Sequence, residues 1–240
     1  MELKPIRTDG QPAGPVSYSP SGELVAAQQS QKVLRNTYLL LALTMVPTVI
    51  GAYIGLASAS FVFAHPIATS LGMLAVVIGL QFGIAANRES GVGVALLLLM
   101  TGVLGWWLGP ILSVALALKN GPQLVAYAAL GTGVIFFAMG AIAQTTKRDF
   151  SFLGKFLFVG MIALLIAMFA NMFLQIPALA LTISTLVIVV FSLFLLYDLN
   201  RIIRGGETNY IMAATGVYIS LFNIFANLLN LLLAFSGDRD

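Results

Sequence analysis

A chain of 240 residues that is 59% hydrophobic and only 9% charged cannot cover a water-facing surface, since soluble domains carry about 25% charged residues. Lipid is its solvent, and the bilayer is the first partner that the composition implies. The absence of cysteine excludes a disulfide framework and thiolate metal sites. The net charge of +3 matters less than where the charges stand.

The chain opens with a segment unlike the rest. Residues 1–31 hold Pro5, Pro12, Pro15 and Pro20 among glycine, serine and glutamine. Such a composition buries too little apolar surface to offset its ordering entropy, so a disordered tail is expected, followed by a membrane domain over 32–240. The first apolar run begins after Arg35 and is too long for the core of a signal peptide, so it is expected to stay as an anchor.

About 20 apolar residues cross the hydrocarbon core as a helix. Seven segments meet that length: 36–58, 67–86, 92–116, 123–143, 152–174, 177–197 and 211–235. The runs are continuous rather than alternating, which predicts helices and not a barrel. The breaks between them are chemically legible. Ala64-His65-Pro66 closes the first span, and Asn87 to Gly91 closes the second. Lys119-Asn120-Gly121-Pro122 reads as a turn after the third. Thr145 to Asp149 forms a charged loop in which Asp149 suits the N-cap of the fifth span. Gln175-Ile176-Pro177 makes a very short turn. Gly205 and Gly206 suit a helix C-terminus, with Thr208 or Asn209 as the next N-cap.

Basic residues distribute unevenly over these loops. Lys4, Arg7, Lys32, Arg35, Arg88, Lys147, Arg148, Lys155, Arg201 and Arg204 all fall on one side of the membrane, while Lys119 and Arg239 fall on the other. The excess of Lys and Arg marks the cytoplasmic side. The N-terminus is therefore expected in the cytoplasm and, with seven spans, the C-terminus outside.

Polar groups within the spans are the candidates for function. Gly51/Gly55, Gly79/Gly83 and Gly105/Gly109 repeat at four-residue spacing, which lets helices approach closely in lipid, within the bundle or between copies. Along the seventh span Gly216, Ser220, Asn223, Asn227 and Asn230 share one narrow sector. That face should point inward, as interhelical hydrogen-bond glue or as the wall of a hydrated path. Asn171 and Gln175, one turn apart, admit the same two readings. Asp198 is the one acidic residue at the edge of a span. With Arg201 three residues on, it reads either as an interfacial ion pair or as a gate responsive to protons or cations. Hydrolase chemistry is not expected. His65, the sole histidine, and Asp198 stand near opposite faces, about 30 Å apart, and a dyad needs a second close carboxylate. No nucleotide-binding fingerprint occurs, and neither a cofactor nor a nucleic-acid partner is expected.

In the C-terminal third, LLYDLNRIIRGGETNYI at 195–211 resembles the Bax inhibitor-1 family, and the chain as a whole is similar to its bacterial YccA-like branch. KVLRNTYLLLALT at 32–44, LGPIL at 108–112, DFSFLGK at 149–155, ANMFLQIPAL at 170–179 and VYISLFNIFANLL at 217–229 carry the likeness. The resemblance implies an all-α membrane protein, a seven-helix bundle of the Bax inhibitor-1 type with its most polar helix, the seventh, at the centre. It implies a non-enzymatic modulator in the bacterial inner membrane. That modulator would bind and tune an ATP-dependent membrane protease of the FtsH kind, and its regulators. The tail offers a segment such a protease can engage. The alternative implied is a pH-sensitive calcium or proton leak, associated in the family with two aspartates on the last two long helices. Asp198 matches the first; Ser220 stands at the second, and without a second carboxylate no shared-proton switch forms there.

Overall fold

A computed structural model describes residues 20–146, 150 and 152–236. The described residues form nine α-helices and no strand: α1 (Pro20–Ala57), α2 (Ala59–Ala64), α3 (Pro66–Ala86), α4 (Gly91–Trp107), α5 (Gly109–Ala117), α6 (Gly121–Thr145), α7 (Leu153–Leu174), α8 (Pro177–Ile203) and α9 (Tyr210–Ser236). Seven stretches are long and apolar enough to span a bilayer, with α4 and α5 counting as one span. The all-α, seven-span reading therefore holds.

Prolines set several helix starts. Pro66, Pro110, Pro122 and Pro177 all sit in the first turns of their helices, where a missing N–H costs nothing and φ is already helical. Pro110, which lacks an N–H, also accounts for the interruption of the third span at Leu108, between α4 and α5. At its far end α8 stops at Gly205, whose φ of +74° is the left-handed conformation glycine adopts freely. There the Gly205 N–H donates to the Ile202 carbonyl and the Gly206 N–H to Arg201. Asn209 is the N-cap of α9, its Oδ1 accepting from the Ile211 and Met212 N–H groups at 3.0 and 3.1 Å. Asp149, read from sequence as a cap, lies outside the described residues, as do 1–19 of the tail and Arg239.

The first helix departs from the expected boundary. It begins at Pro20 rather than near Lys32, so residues 20–31 are helical. Pro20 at the helix start and Glu23, Leu24, Ala26, Ala27, Gln28 and Gln29 behind it are a good helix sequence. The prolines and glycines further upstream conceal it when the segment is averaged as a whole. The spanning part of this helix starts at Gln28.

Helix α9 is the centre of the bundle, touching α1, α3, α4, α5, α6 and α8. Its Ala214, Val217, Ile224 and Leu229 are fully buried. The glycine repeats divide. Cβ atoms placed at Gly51, Gly55, Gly105 and Gly109 would strike the backbones of Gly102, Trp106, Thr48 and Gly55 respectively. These four glycines weld α1 to α4 and α5 inside one chain, backbone against backbone. Gly83 meets only the Leu96 side chain, and Gly79 has nothing within 4 Å. The pair in the second span therefore makes no such seam.

Candidate functional site

The ends of the helices that carry most of the basic residues gather on one face. The Asn209 amide donates to the Arg88 carbonyl at 2.7 Å, and Arg204 donates to the Thr146 carbonyl at 3.4 Å. Ser30 of α1 lies beside Gly205. The loop after α3, the end of α6 and the α8–α9 turn therefore share one surface.

Beneath that surface sits a polar cavity of about 190 Å³. Asp198, Arg201 and Ile202 of α8, Gln81 of α3, Glu207 of the α8–α9 turn, and Thr215 and Gly216 of α9 are among its lining residues. Asp198 faces α9 at its glycine, since a Cβ at Gly216 would stand 2.7 Å from Asp198 Oδ2. Glycine there makes room for the carboxylate. The Asp198–Arg201 pair that the spacing allows is not formed. Arg201 turns instead to the loop, its Nη2 3.0 Å from Glu207 Oε2 and its Nε donating to the Gly206 carbonyl at 3.2 Å. Glu207 Oε1 accepts from the Asn209 N–H at 3.0 Å, so this carboxylate is held from two sides. A second cavity of about 370 Å³ adjoins, lined by Arg88, Glu89, Glu207, Thr208, Asn209 and Tyr210. Glu207 belongs to both and stands between the outer vestibule and Asp198.

Ser220 is buried on α9 one turn beyond Gly216. The carboxylate that shares the cavity with Asp198 comes from Glu207, not from that position. Sequence reading missed Glu207 and Gln81. Gln81 is the only side-chain amide within 66–86, a usable signal. Glu207 looked like one more loop residue in a polar turn, and only the return of the loop over α8 brings it inward.

The asparagine stripe resolves into separate roles. Asn223 donates to the Ile219 carbonyl at 2.9 Å and Asn227 to the Asn223 carbonyl at 2.8 Å, each one turn back on its own helix. Asn230 reaches a neighbour, donating to Ser184 Oγ of α8 at 2.9 Å. Asn171 is a local cap. Its Oδ1 accepts from the Ile176 N–H at 3.1 Å, and its carbonyl accepts from the Gln175 N–H at 2.8 Å. Gln175 takes a left-handed φ of 52° to end α7. Thus the stripe is not one ladder leading to Asp198. Asn223 opens into a largely apolar cavity of about 290 Å³ among α3, α4, α7 and α9, separate from the carboxylate cavity.

These features define a multi-pass helical membrane protein built around a polar central helix, with a carboxylate-lined cavity under one face. The family model described as "Inhibitor of apoptosis-promoting Bax1" matches residues 30–237, and the chain belongs to that family, the Bax inhibitor-1 family. It is 41% identical over 218 residues to the modulator of FtsH protease YccA of Escherichia coli K12, covering 89% of this chain and 95% of that one. An inner membrane protein YccA of Escherichia coli O6:H1 matches at the same identity and coverage. A membrane protein of Vibrio cholerae is 36% identical over 215 residues, covering 90% of this chain and 95% of its own.

Proposed function

We propose that this protein is a non-enzymatic modulator in the bacterial inner membrane that binds and tunes an ATP-dependent membrane protease of the FtsH kind. The observation that carries this reading is the 41% identity to a protein named as a modulator of FtsH protease, along 89% of the chain. The likeness runs through the whole helical bundle and not through one motif. In this reading the face bearing Arg88, Arg201 and Arg204 is cytoplasmic, as the skew of basic residues requires. That is the side on which an ATP-driven protease takes hold of its substrates. The test is affinity capture of the tagged full chain from gently solubilised membranes. The protease should co-purify with it, and its absence from captures that retain an intact bundle would count against the proposal.

A second reading, a calcium or proton leak, is favoured by one arrangement. Asp198 and Glu207 line a single polar cavity that adjoins a vestibule at the surface. Liposomes containing only this protein decide the matter. Flux above that of empty liposomes, abolished by Asp198→Asn, would support the leak; flux equal to the empty control removes it.

A further inference from the structure

Helices α1 and α6 meet over α9 at the edge-on Tyr38–Phe136 ring contact, with centroids 5.9 Å apart, and beside it a lateral fissure with two lobes lies between them. The lobe nearer the basic face, about 650 Å³, is walled by Tyr38 and Ala42 of α1 and by Phe137, Ala141 and Gln144 of α6. The deeper lobe, about 460 Å³, is walled by Val49 and Ala52 of α1 and by Val125, Ala129 and Thr132 of α6. Met45 and Leu221 line both lobes, so the lobes adjoin. The floor of the deeper lobe is Tyr218, Phe222 and Phe225 of α9.

Along α1 the lining positions 38, 42, 45, 49 and 52 form a single helical stripe. Extended one step toward the basic face, that stripe reaches Arg35, which is exposed. Across the gap, Gln144 is followed by Thr146, whose carbonyl receives Arg204. The mouth is therefore flanked by two exposed arginines, with no acidic side chain in the lining of either lobe. From Tyr38 to Ala52 the fissure runs for about 21 Å at 1.5 Å per residue. One leaflet of hydrocarbon is about 15 Å deep, so a chain entering at Tyr38 reaches the level of Thr48.

We infer that the α1/α6 fissure is a binding site for an anionic phospholipid, with one acyl chain between α1 and α6 and the phosphate at Arg35 and Arg204. A basic group near the membrane surface attracts anionic lipid with about 1 kcal/mol, or about fivefold in affinity. Two such groups should favour phosphatidylglycerol over phosphatidylcholine of the same chains by about 30-fold. The apolar walls accept either lipid, so the headgroup preference belongs to the arginines and the retention belongs to the fissure.

The full chain in detergent, titrated with each lipid and weighed intact by native mass spectrometry, tests both parts. Wild-type protein should retain phosphatidylglycerol in preference to phosphatidylcholine. The double variant Arg35→Gln/Arg204→Gln should lose that preference. Ala42→Trp and Ala141→Trp, filling the gap from either wall, should each lower retention of both lipids about tenfold or more. Val76→Trp adds the same ring at an exposed site on α3 and should change nothing. Equal retention of the two lipids by wild type, or binding indifferent to the tryptophans, overturns the site. Should both tryptophan variants fail to fold, a photoreactive phenylalanine derivative at position 141 gives the answer in intact membranes. A lipid-sized mass adduct supports the inference, and cross-linking to a protein partner or a second copy contradicts it.

Discussion

Helix α1 meets its two neighbours in opposite ways. Toward α4 and α5 it presents Thr48, Gly51 and Gly55 to Gly105, Gly102 and Gly109 respectively, and the backbones touch. Toward α6 only the Tyr38 ring meets the opposite wall, edge-on to Phe136 with centroids 5.9 Å apart, and a gap remains beside Ala42, Met45 and Val49. The two sides are chemically alike in that both are apolar. The difference lies in shape, because lipid is as apolar as any side chain and only close fit favours helix against helix in a bilayer. Glycine supplies that fit on one side. On the other side a single ring contact, Tyr38 on Phe136, replaces that seam and leaves a surface free for a ligand while the rest of the helix is fixed.

Substitutions should expose this contrast. The largest effect is expected from Gly55→Leu, which drives a side chain into the Trp106 backbone. Overpacking with no room to relax should cost about 3 kcal/mol or more, read as loss of monodisperse protein after extraction. Tyr218→Phe should cost less. The Tyr218 hydroxyl lies 2.7 Å from the Thr48 hydroxyl and 3.3 Å from the Thr101 carbonyl. Each hydroxyl has one proton: Tyr218 donates to the Thr101 carbonyl when Thr48 donates to Tyr218, or to Thr48 when Thr48 donates to the Thr44 carbonyl, and either way the hydroxyl ties α9 to α1 and α4. Its removal should lower stability by about 1 kcal/mol, measured by thermal or denaturant unfolding in detergent. Gly79→Leu repeats the first exchange where nothing lies within 4 Å. It should be neutral or stabilising by up to about 1 kcal/mol through helix propensity alone. The smallest effect belongs to Ala42→Leu on the open side, which should stay within about 0.5 kcal/mol in the same unfolding assay. Gly55→Leu and Ala42→Leu behaving alike would erase the distinction between the two sides of α1.

Much of this architecture is legible in the residues. Long apolar runs broken by Pro66, Gly121-Pro122, Pro177 and Gly205-Gly206 mark out the seven spans, because span length and helix punctuation are local properties. The site is less legible, because it depends on what lies opposite. A helical projection places Ser220, Asn223, Asn227 and Asn230 on one face of α9, yet it cannot say that Asn223 and Asn227 turn back on their own carbonyls. Spacing pairs Asp198 with Arg201, but the return of the α8–α9 turn offers Arg201 a better-placed acceptor in Glu207. Four-residue spacing likewise treats Gly79/Gly83 and Gly51/Gly55 as equals, and only the neighbouring backbone separates them. The helical stretch at 20–31 was hidden by its proline-rich approach, which masked a favourable helix sequence.

The proposed role, binding and tuning a membrane protease, can be tested on purified components. Its most direct measurement is the degradation rate of a membrane substrate by the purified protease, co-reconstituted in proteoliposomes with increasing amounts of the full chain. The rate should fall as the protein is added, saturate at a defined ratio of protein to protease, and not fall when an unrelated seven-helix protein is added instead. A rate that stays constant to molar excess, with no complex recovered from the same vesicles, would contradict it.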